Sequence, residues 1–451
     1  MVLSDIKQLW ERNQNVENVN VVGWVKFNRD SGKIAFIELN DGTTIKNIQV
    51  VYKREYTQNF EEIKSYRVAS AILVSGDLKI TTNPKNPLEI VAKEVRLLKL
   101  ADEDYPLQNK QHSNEFLREI AHLRVRSSTT QAIMHIRSQL SYGIHKFFHD
   151  NNFTYVASPI ITGNDAEGAG ENFILQDDIN KPFFDKKAKL TVSGQLNAEA
   201  YALGLKKVYT FGPTFRAEKS HTNRHLAEFW MIEPEMAFVN LKQLMEVIEL
   251  MLKNVITYTL NQCNDDFEFL HKDNLSGLEK IYRLTTQSFI RLEYAKAIEI
   301  LQQAIVSGHN FEDNDIFFGK DLASEHERYL CEKHFNDPIF LYNFPKEIKA
   351  FYMKVNEDGQ TVAACDLLLP GVGEIIGGSQ REDNYDKLIE RCHNMKINYE
   401  SLQWYLDLRK YGYYMSSGFG LGLERIVMYL TGSDNIKDTI PFPRVEGELK
   451  F

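Results

Sequence analysis

Cysteine is scarce in this 451-residue chain, and its four copies, Cys263, Cys331, Cys365 and Cys392, lie far apart with no C-x-x-C spacing. Neither a zinc knuckle nor a disulfide framework can be built from them, so they read as thiols of a reducing compartment. Long apolar runs are missing too. No stretch approaches the roughly 20 residues that cross a bilayer, and Met1-Val2-Leu3-Ser4-Asp5 carries no basic segment followed by an apolar one. The expectation is a cytoplasmic chain with no membrane partner. Excess positive charge is also absent. A net charge of −9 argues against sequence-blind binding of nucleic acid over the whole surface and leaves room for a local basic site. There is no internal repeat and no low-complexity tract.

What is present begins with short strands. Val19–Val25 and Lys33–Leu39 are rich in β-branched and aromatic residues and flank a turn cluster, Asn28 to Gly32. Lys46–Val51, Arg67–Gly76 and Leu88–Val95 continue the pattern, with Asn40-Asp41-Gly42 and the Pro84/Pro87 pair marking turns. Five such strands in about 80 residues fit a small closed barrel such as the OB-fold, whose open face often binds oligonucleotides. Residues 1–16 are an N-terminal extension, 17–100 the barrel, and 101–130 a polar linker or hinge. The chain length predicts two or three domains, and 131–451 forms the larger one. There Ile133, Ile136, Leu140, Ile144 and Phe148 recur at helical spacing, as do Leu241, Leu244, Ile248, Leu252 and Val255. Short apolar runs lie between and beyond them without strict β-α-β alternation. An α+β arrangement follows, an antiparallel sheet flanked by helices.

Several constellations carry chemistry. Phe215-Arg216-Ala217-Glu218 and Arg224-His225-Leu226 bracket a polar loop, Lys219 to Asn223. Guanidinium groups so placed suit a polyphosphate, which they bind bidentately; a strand hairpin with surface ion pairs fits the same pattern. Asp366 and Glu374 sit in an apolar, glycine-rich run ending at Arg381. Acidic residues there are costly without a cation or hydrogen-bond donors, so they are candidate oxygen ligands for Mg2+. Val192-Ser193-Gly194-Gln195 and Glu167-Gly168-Ala169-Gly170-Glu171 can grip a small zwitterion or be plain loops. Gly418-Phe419-Gly420-Leu421-Gly422-Leu423-Glu424-Arg425 marks close backbone approach before an arginine. It does not match the dinucleotide pattern, because its third glycine comes one residue early.

Taken in order, these segments resemble the class II aminoacyl-tRNA synthetases of the aspartate/asparagine/lysine subgroup, and its asparagine branch most closely. The resemblance covers nearly the whole chain. Pro159 and its flanks are similar to the first class motif, which builds a homodimer interface in that family; Phe215 to Glu228 is similar to the second, and Gly418 to Arg425 to the third. It implies that Arg216, Glu374 and Arg425 are catalytic. Glu218, Arg224, His225, Leu226 and Phe229 join them around ATP, with Arg216 on the α-phosphate, Arg425 on the γ-phosphate and Phe229 stacked on adenine. Glu374, with Asp366 or Glu218 nearby, would hold Mg2+. Glu167, Ser193 and Gln195 would surround the α-ammonium, and Arg381 would reach the side chain.

The same resemblance implies L-asparagine and tRNA(Asn) as substrates. Where bacterial-type aspartate enzymes carry a lysine this chain has Ala198, and Glu233 stands in place of an aspartate. A carboxylate at 233 can accept from an amide NH2 and repels a carboxylate substrate. In the barrel, Phe36 would stack on the central anticodon base, with Gln49 on its edge and Arg29 near the backbone; Phe36 pointing into the barrel core fits the residues equally. One segment departs from the family: Met415-Ser416 replace its usual Pro-His pair. A non-discriminating aspartate enzyme and a catalytically silent tRNA-binding paralogue are the competing readings.

Overall fold

Alternation of apolar and polar residues builds the first unit. In the computed structural model, which describes residues 2–57, 59–163, 172–175, 183–184, 187–219, 222–397 and 399–451, five strands close into a barrel. They are β1 (Val16–Asp30), β2 (Ile34–Asn40), β3 (Ile48–Lys53), β4 (Ala71–Ile80) and β5 (Leu88–Lys99), in the order β1-β2-β3-β5-β4. Val21, Val25, Ile37, Val50, Val74 and Ile90 meet in its interior. Closure removes the free strand edges an open sheet would expose. A short helix, Ile6–Trp10, adds Ile6 and Leu9 to the same core. Helices also form at Asn114–Glu119 and Ala121–Arg124, and the chain divides into the units Met1–Ala132 and Ile133–Phe451.

The second unit holds β6 (Thr154–Tyr155), β7 (Ile161–Thr162), β8 (Lys189–Leu190), β9 (Lys207–Phe215), β10 (Glu228–Ala237), β11 (Ile290–Glu293), β12 (Ile339–Pro345), β13 (Thr361–Leu369), β14 (Gly373–Gln380) and β15 (Ser416–Gly422). Eight of them form one sheet in the order β11-β12-β13-β14-β15-β10-β9-β6, and β7 pairs with β8 separately. The central pairs are antiparallel, as expected. Both edge pairs, β11 with β12 and β6 with β9, are parallel, so the sheet is mixed. The reason is connectivity. Parallel neighbours need a crossover of a dozen or more residues, and helices Tyr294–Val306 and Gln195–Leu205 lie within those two connections.

One sheet face packs on helices. Ile136, Leu140 and Ile144 of helix Ser128–Asp150 share a core with Leu244, Ile248 and Leu252 of helix Leu241–Gln262, whose start is fixed by a capping box between Asn240 and Gln243. Ile232, Leu367 and Leu421 point into that core. Because strand side chains alternate, their neighbours Met231, Glu233, Asp366, Gly420 and Gly422 line a cleft on the other face.

Candidate active site

The floor of this cleft, about 290 Å³ in volume, is made by missing side chains. Gly418, Gly420 and Gly422 lie on the cleft face of β15, with Gly418 opposite Glu235 and Gly422 opposite Met231 on β10. A Cβ at Gly418 would fall 2.1 Å from Glu235 Oε1. The glycine therefore makes room for a buried carboxylate. That carboxylate accepts from Arg381 Nε at 3.2 Å and from its Nη2, while Arg381 Nη1 donates to Ser379 Oγ at 2.8 Å. Burial pushes the Glu235 carboxyl up to about 7 against the lowering effect of Arg381. For Arg381 burial works against the charge, and Glu235 outweighs it, so the guanidinium is held above its usual range. Gly418→Ala is expected to destabilise the second unit by about 1–3 kcal/mol through overpacking. Gly212→Ala, whose Cβ would meet nothing within 4 Å, is the control; equal urea midpoints for the two variants would contradict this account.

At one end of the cleft the side chains are cationic. Arg216 leaves the end of β9 with its guanidinium 5.4 Å from the Phe229 ring. Arg425, on the first turn of helix Leu423–Thr431, donates to the Glu374 carbonyl at 3.0 Å. Burial, then Arg328 and Arg425, lower the pKa of Arg224, which tells that these cations face one space. His225 is lowered chiefly by burial, and lies 4.0 Å from Glu218. Leu226 packs with Met428, Ile436 and Ile440 at the rim. All of the expected ATP-site residues line this one cleft.

The two expected metal ligands differ. Glu374 is partly exposed, 3.9 Å from Arg425, whereas Asp366 is more enclosed, with its side chain 13% exposed, and accepts from Lys349 Nζ at 2.5 Å. A third carboxylate, Glu327, was not legible in the sequence. Its pKa is raised to about 8 by burial, then by the charges of Glu374 and Asp366. Among the described residues no group of three or more His, Cys, Asp or Glu side chains has metal-binding geometry.

The other end is neutral to acidic. Glu233 accepts from Ser193 Oγ, from the Gly194 amide at 2.8 Å and from Thr210 Oγ1 at 3.1 Å. Gln195 opens helix Gln195–Leu205, and its Nε2 is buried without a hydrogen-bond partner. Ala198, on the same helix, is fully buried. Glu167 lies outside the described residues. The departing segment Met415-Ser416 leads into β15, where the Ser416 carbonyl accepts the Arg381 amide at 2.8 Å.

Sequence reasoning missed Glu235, Lys349, Tyr352 and Glu327. The first was within its reach, since Glu233 and Glu235 share one face of a strand.

In the barrel unit the open choice about Phe36 is resolved. Ala35, Ile37 and Leu39 are fully buried, so the half-buried Phe36 points outward. Arg29 is its cross-strand neighbour, with the guanidinium 5.1 Å from the ring. Gln49 shares that outer face, donating to Glu89 at 3.1 Å and accepting from Asn86 at 3.0 Å.

Comparison with known proteins agrees with this layout. Residues 113–446 match the model of the tRNA synthetases class II (D, K and N), and residues 19–98 that of the OB-fold nucleic acid binding domain. The asparagine–tRNA ligase of Malacoplasma penetrans is 55% identical over 448 residues, 99% of each chain. That of Ureaplasma urealyticum serovar 10 is 54% identical over 436 residues, 96% of each. The asparaginyl-tRNA synthetase of Pyrococcus horikoshii, solved with asparaginyl-adenylate, superposes with a TM-score of 0.89 at 34% identity, covering 100% of this chain and 99% of that one.

Proposed function

This chain belongs to the class II tRNA synthetases of the D, K and N group, and we propose that it ligates L-asparagine to tRNA(Asn) through an asparaginyl-adenylate. In the first step an asparagine carboxylate oxygen attacks the α-phosphorus of ATP. The new P–O bond forms as the bond to the bridging oxygen breaks, and pyrophosphate leaves with its electron pair. In the second, a hydroxyl of the terminal tRNA ribose attacks the adenylate carbonyl, and AMP departs.

The observation that carries the choice of asparagine is the unused bonding capacity of Arg381 and Glu233. A guanidinium has five N–H donors, and three bonds from Arg381 leave about two free. A carboxylate has roughly four acceptor sites, and three donors leave Glu233 one. A carboxamide fits this pair, its oxygen on Arg381 and its NH2 on Glu233. Aspartate offers Glu233 a second negative charge instead, and lysine brings an ammonium to Arg381. Gln195 supplies its free Nε2 to the carboxylate-derived oxygen and its amide oxygen to the α-ammonium, beside Ser193; Glu167 joins them in this reading.

Arg216 stabilises charge on the α-phosphate, and Arg425 and Arg224 hold the γ-phosphate. His225, Leu226 and Glu218 shape the loop around the nucleotide, and Phe229 stacks on adenine opposite the guanidinium of Arg216. This is positioning and charge neutralisation, and it needs no side-chain nucleophile. A divalent cation, Mg2+, suits this site because two carboxylates, Glu374 and Asp366, converge over Gly377 beside the arginines assigned to the phosphates. It takes few protein ligands when phosphates supply the rest. Glu374 would hold it, with Asp366 contributing if Lys349 yields. When bound, the ion neutralises the phosphate oxygens.

The outer barrel face with Arg29, Phe36 and Gln49 reads the anticodon. Phe36→Ala is expected to raise the KM for tRNA(Asn) about tenfold, since base stacking contributes roughly 1–3 kcal/mol, and to leave pyrophosphate exchange unchanged. Equal loss in both assays would contradict a role in stacking. The enzyme acts as a homodimer in the cytoplasm. Ile160 and Ile161, beside Pro159, stand 42% and 47% exposed, and among the described residues no helix is long and apolar enough to cross a membrane. Charging of unmodified tRNA(Asn) with labelled asparagine tests the function, with tRNA(Asp) as control. Failure to charge either, with pyrophosphate exchange absent, would favour a silent tRNA-binding protein.

A further inference from the structure

A second charged assembly lies buried beside the amino-acid end of the cleft, and none of the roles above uses it. Glu199 is 1% exposed. It accepts from Arg409 Nη2 at 2.6 Å, Tyr413 Oη at 2.6 Å and Tyr405 Oη at 2.7 Å. The Arg409 guanidinium lies between the Tyr405 and Tyr413 rings, 4.2 Å from each centroid. Tyr413 Oη is also bonded to Ser416 Oγ. All of these side chains are buried, and an ion pair so enclosed contributes little net stability compared with apolar packing. Its connections point to a different use.

Three of them lead to the residues assigned to asparagine or to their immediate neighbours. Glu199 stands one helical turn after Gln195 on helix Gln195–Leu205, so the two share a face. Arg409 Nε donates to the carbonyl of Glu382, the residue after Arg381, at 2.9 Å. The Ser416 carbonyl accepts the Arg381 amide at 2.8 Å. The helix that presents Gln195 and the strand end that presents Arg381 are thus tied to one rigid hub. A hydrogen-bonding site discriminates only while its groups hold their spacing to within a fraction of an ångström.

We propose that Glu199, Arg409, Tyr413 and Ser416 are positioning residues that fix the distance between Gln195 and Arg381, and so set the affinity for the amino acid independently of ATP. The proposal rests on the asparagine reading given above. Removing Glu199 or Arg409 strands a buried charge and tests only folding. Tyr413→Phe and Ser416→Ala remove single hydroxyls and leave the Glu199–Arg409 pair intact.

The test is pyrophosphate exchange by the full chain, with asparagine and ATP titrated separately, alongside thermal unfolding. In each variant the KM for asparagine is expected to rise about five- to tenfold. The KM for ATP should stay within twofold and the unfolding midpoint within a few degrees. Ser416→Thr, which keeps a hydroxyl, should restore the asparagine KM. An unchanged asparagine KM, or equal changes in both KM values, would overturn the proposal, as would Ser416→Thr behaving like Ser416→Ala. Should Tyr413→Phe fail to fold, the two Ser416 variants decide alone. Wild-type protein without asparagine-dependent exchange would instead overturn the underlying reading.

Discussion

Arg381→Ala is expected to lower kcat/KM for asparagine-dependent pyrophosphate exchange by about a thousandfold while ATP affinity changes less than threefold. Truncating a buried, charge-paired donor costs roughly 2–5 kcal/mol, and Arg381 is both buried and paired. The substitution also strands Glu235, which is 0% exposed, so part of the loss could come from the fold. Arg381→Met combined with Glu235→Gln separates the two effects. It removes both charges, which is far milder than breaking the pair. The double variant should regain thermal stability and remain unable to activate asparagine. Recovery of activity along with stability would show that Arg381 serves the fold alone, and parallel loss of ATP binding would show that it lies at the nucleotide end.

Arg216→Ala is expected to reduce kcat by about 10²–10³, the usual consequence of removing one donor aimed at developing charge, with little change in the KM for asparagine. Arg216 sits at the cleft beside Phe229, so some loss of ATP affinity through adenine packing accompanies it. Arg216→Lys keeps the charge but not the planar fork and should recover only part of the rate. A raised KM for ATP with kcat unchanged would move Arg216 from the reacting phosphate to ground-state binding.

These effects were legible in unequal measure. The barrel was readable because each strand alternates, and the helices through Ile136 and Leu244 because apolar residues recur at helical spacing. The residues expected around the nucleotide could be named because the segments that carry Arg216, Arg224 and Arg425 resemble the class motifs, which imply their roles. Lys349 and Glu327 could not, since what defines them is a neighbour on another element; Glu235 was reachable from the strand face it shares with Glu233, but its pairing with Arg381, 146 residues away, was not. Asp366 was legible as an acidic residue needing a partner, but not as one already matched to Lys349. The glycine run changed its meaning. Read along the chain it marks close backbone approach; in the sheet its empty face becomes the cleft floor, and Gly418 in particular houses the carboxylate that orients Arg381. The parallel edge pairs escaped because crossover connections leave no periodic signature.

The most direct measurement is ATP–pyrophosphate exchange with the wild-type chain, supplied in parallel with asparagine, aspartate and lysine at equal concentration. The unused donors of Arg381 and the single open acceptor of Glu233 predict exchange with asparagine at least about a hundredfold faster than with the other two, a margin within reach of sites that read buried hydrogen bonds. Exchange with aspartate at a rate equal to that with asparagine would contradict the account.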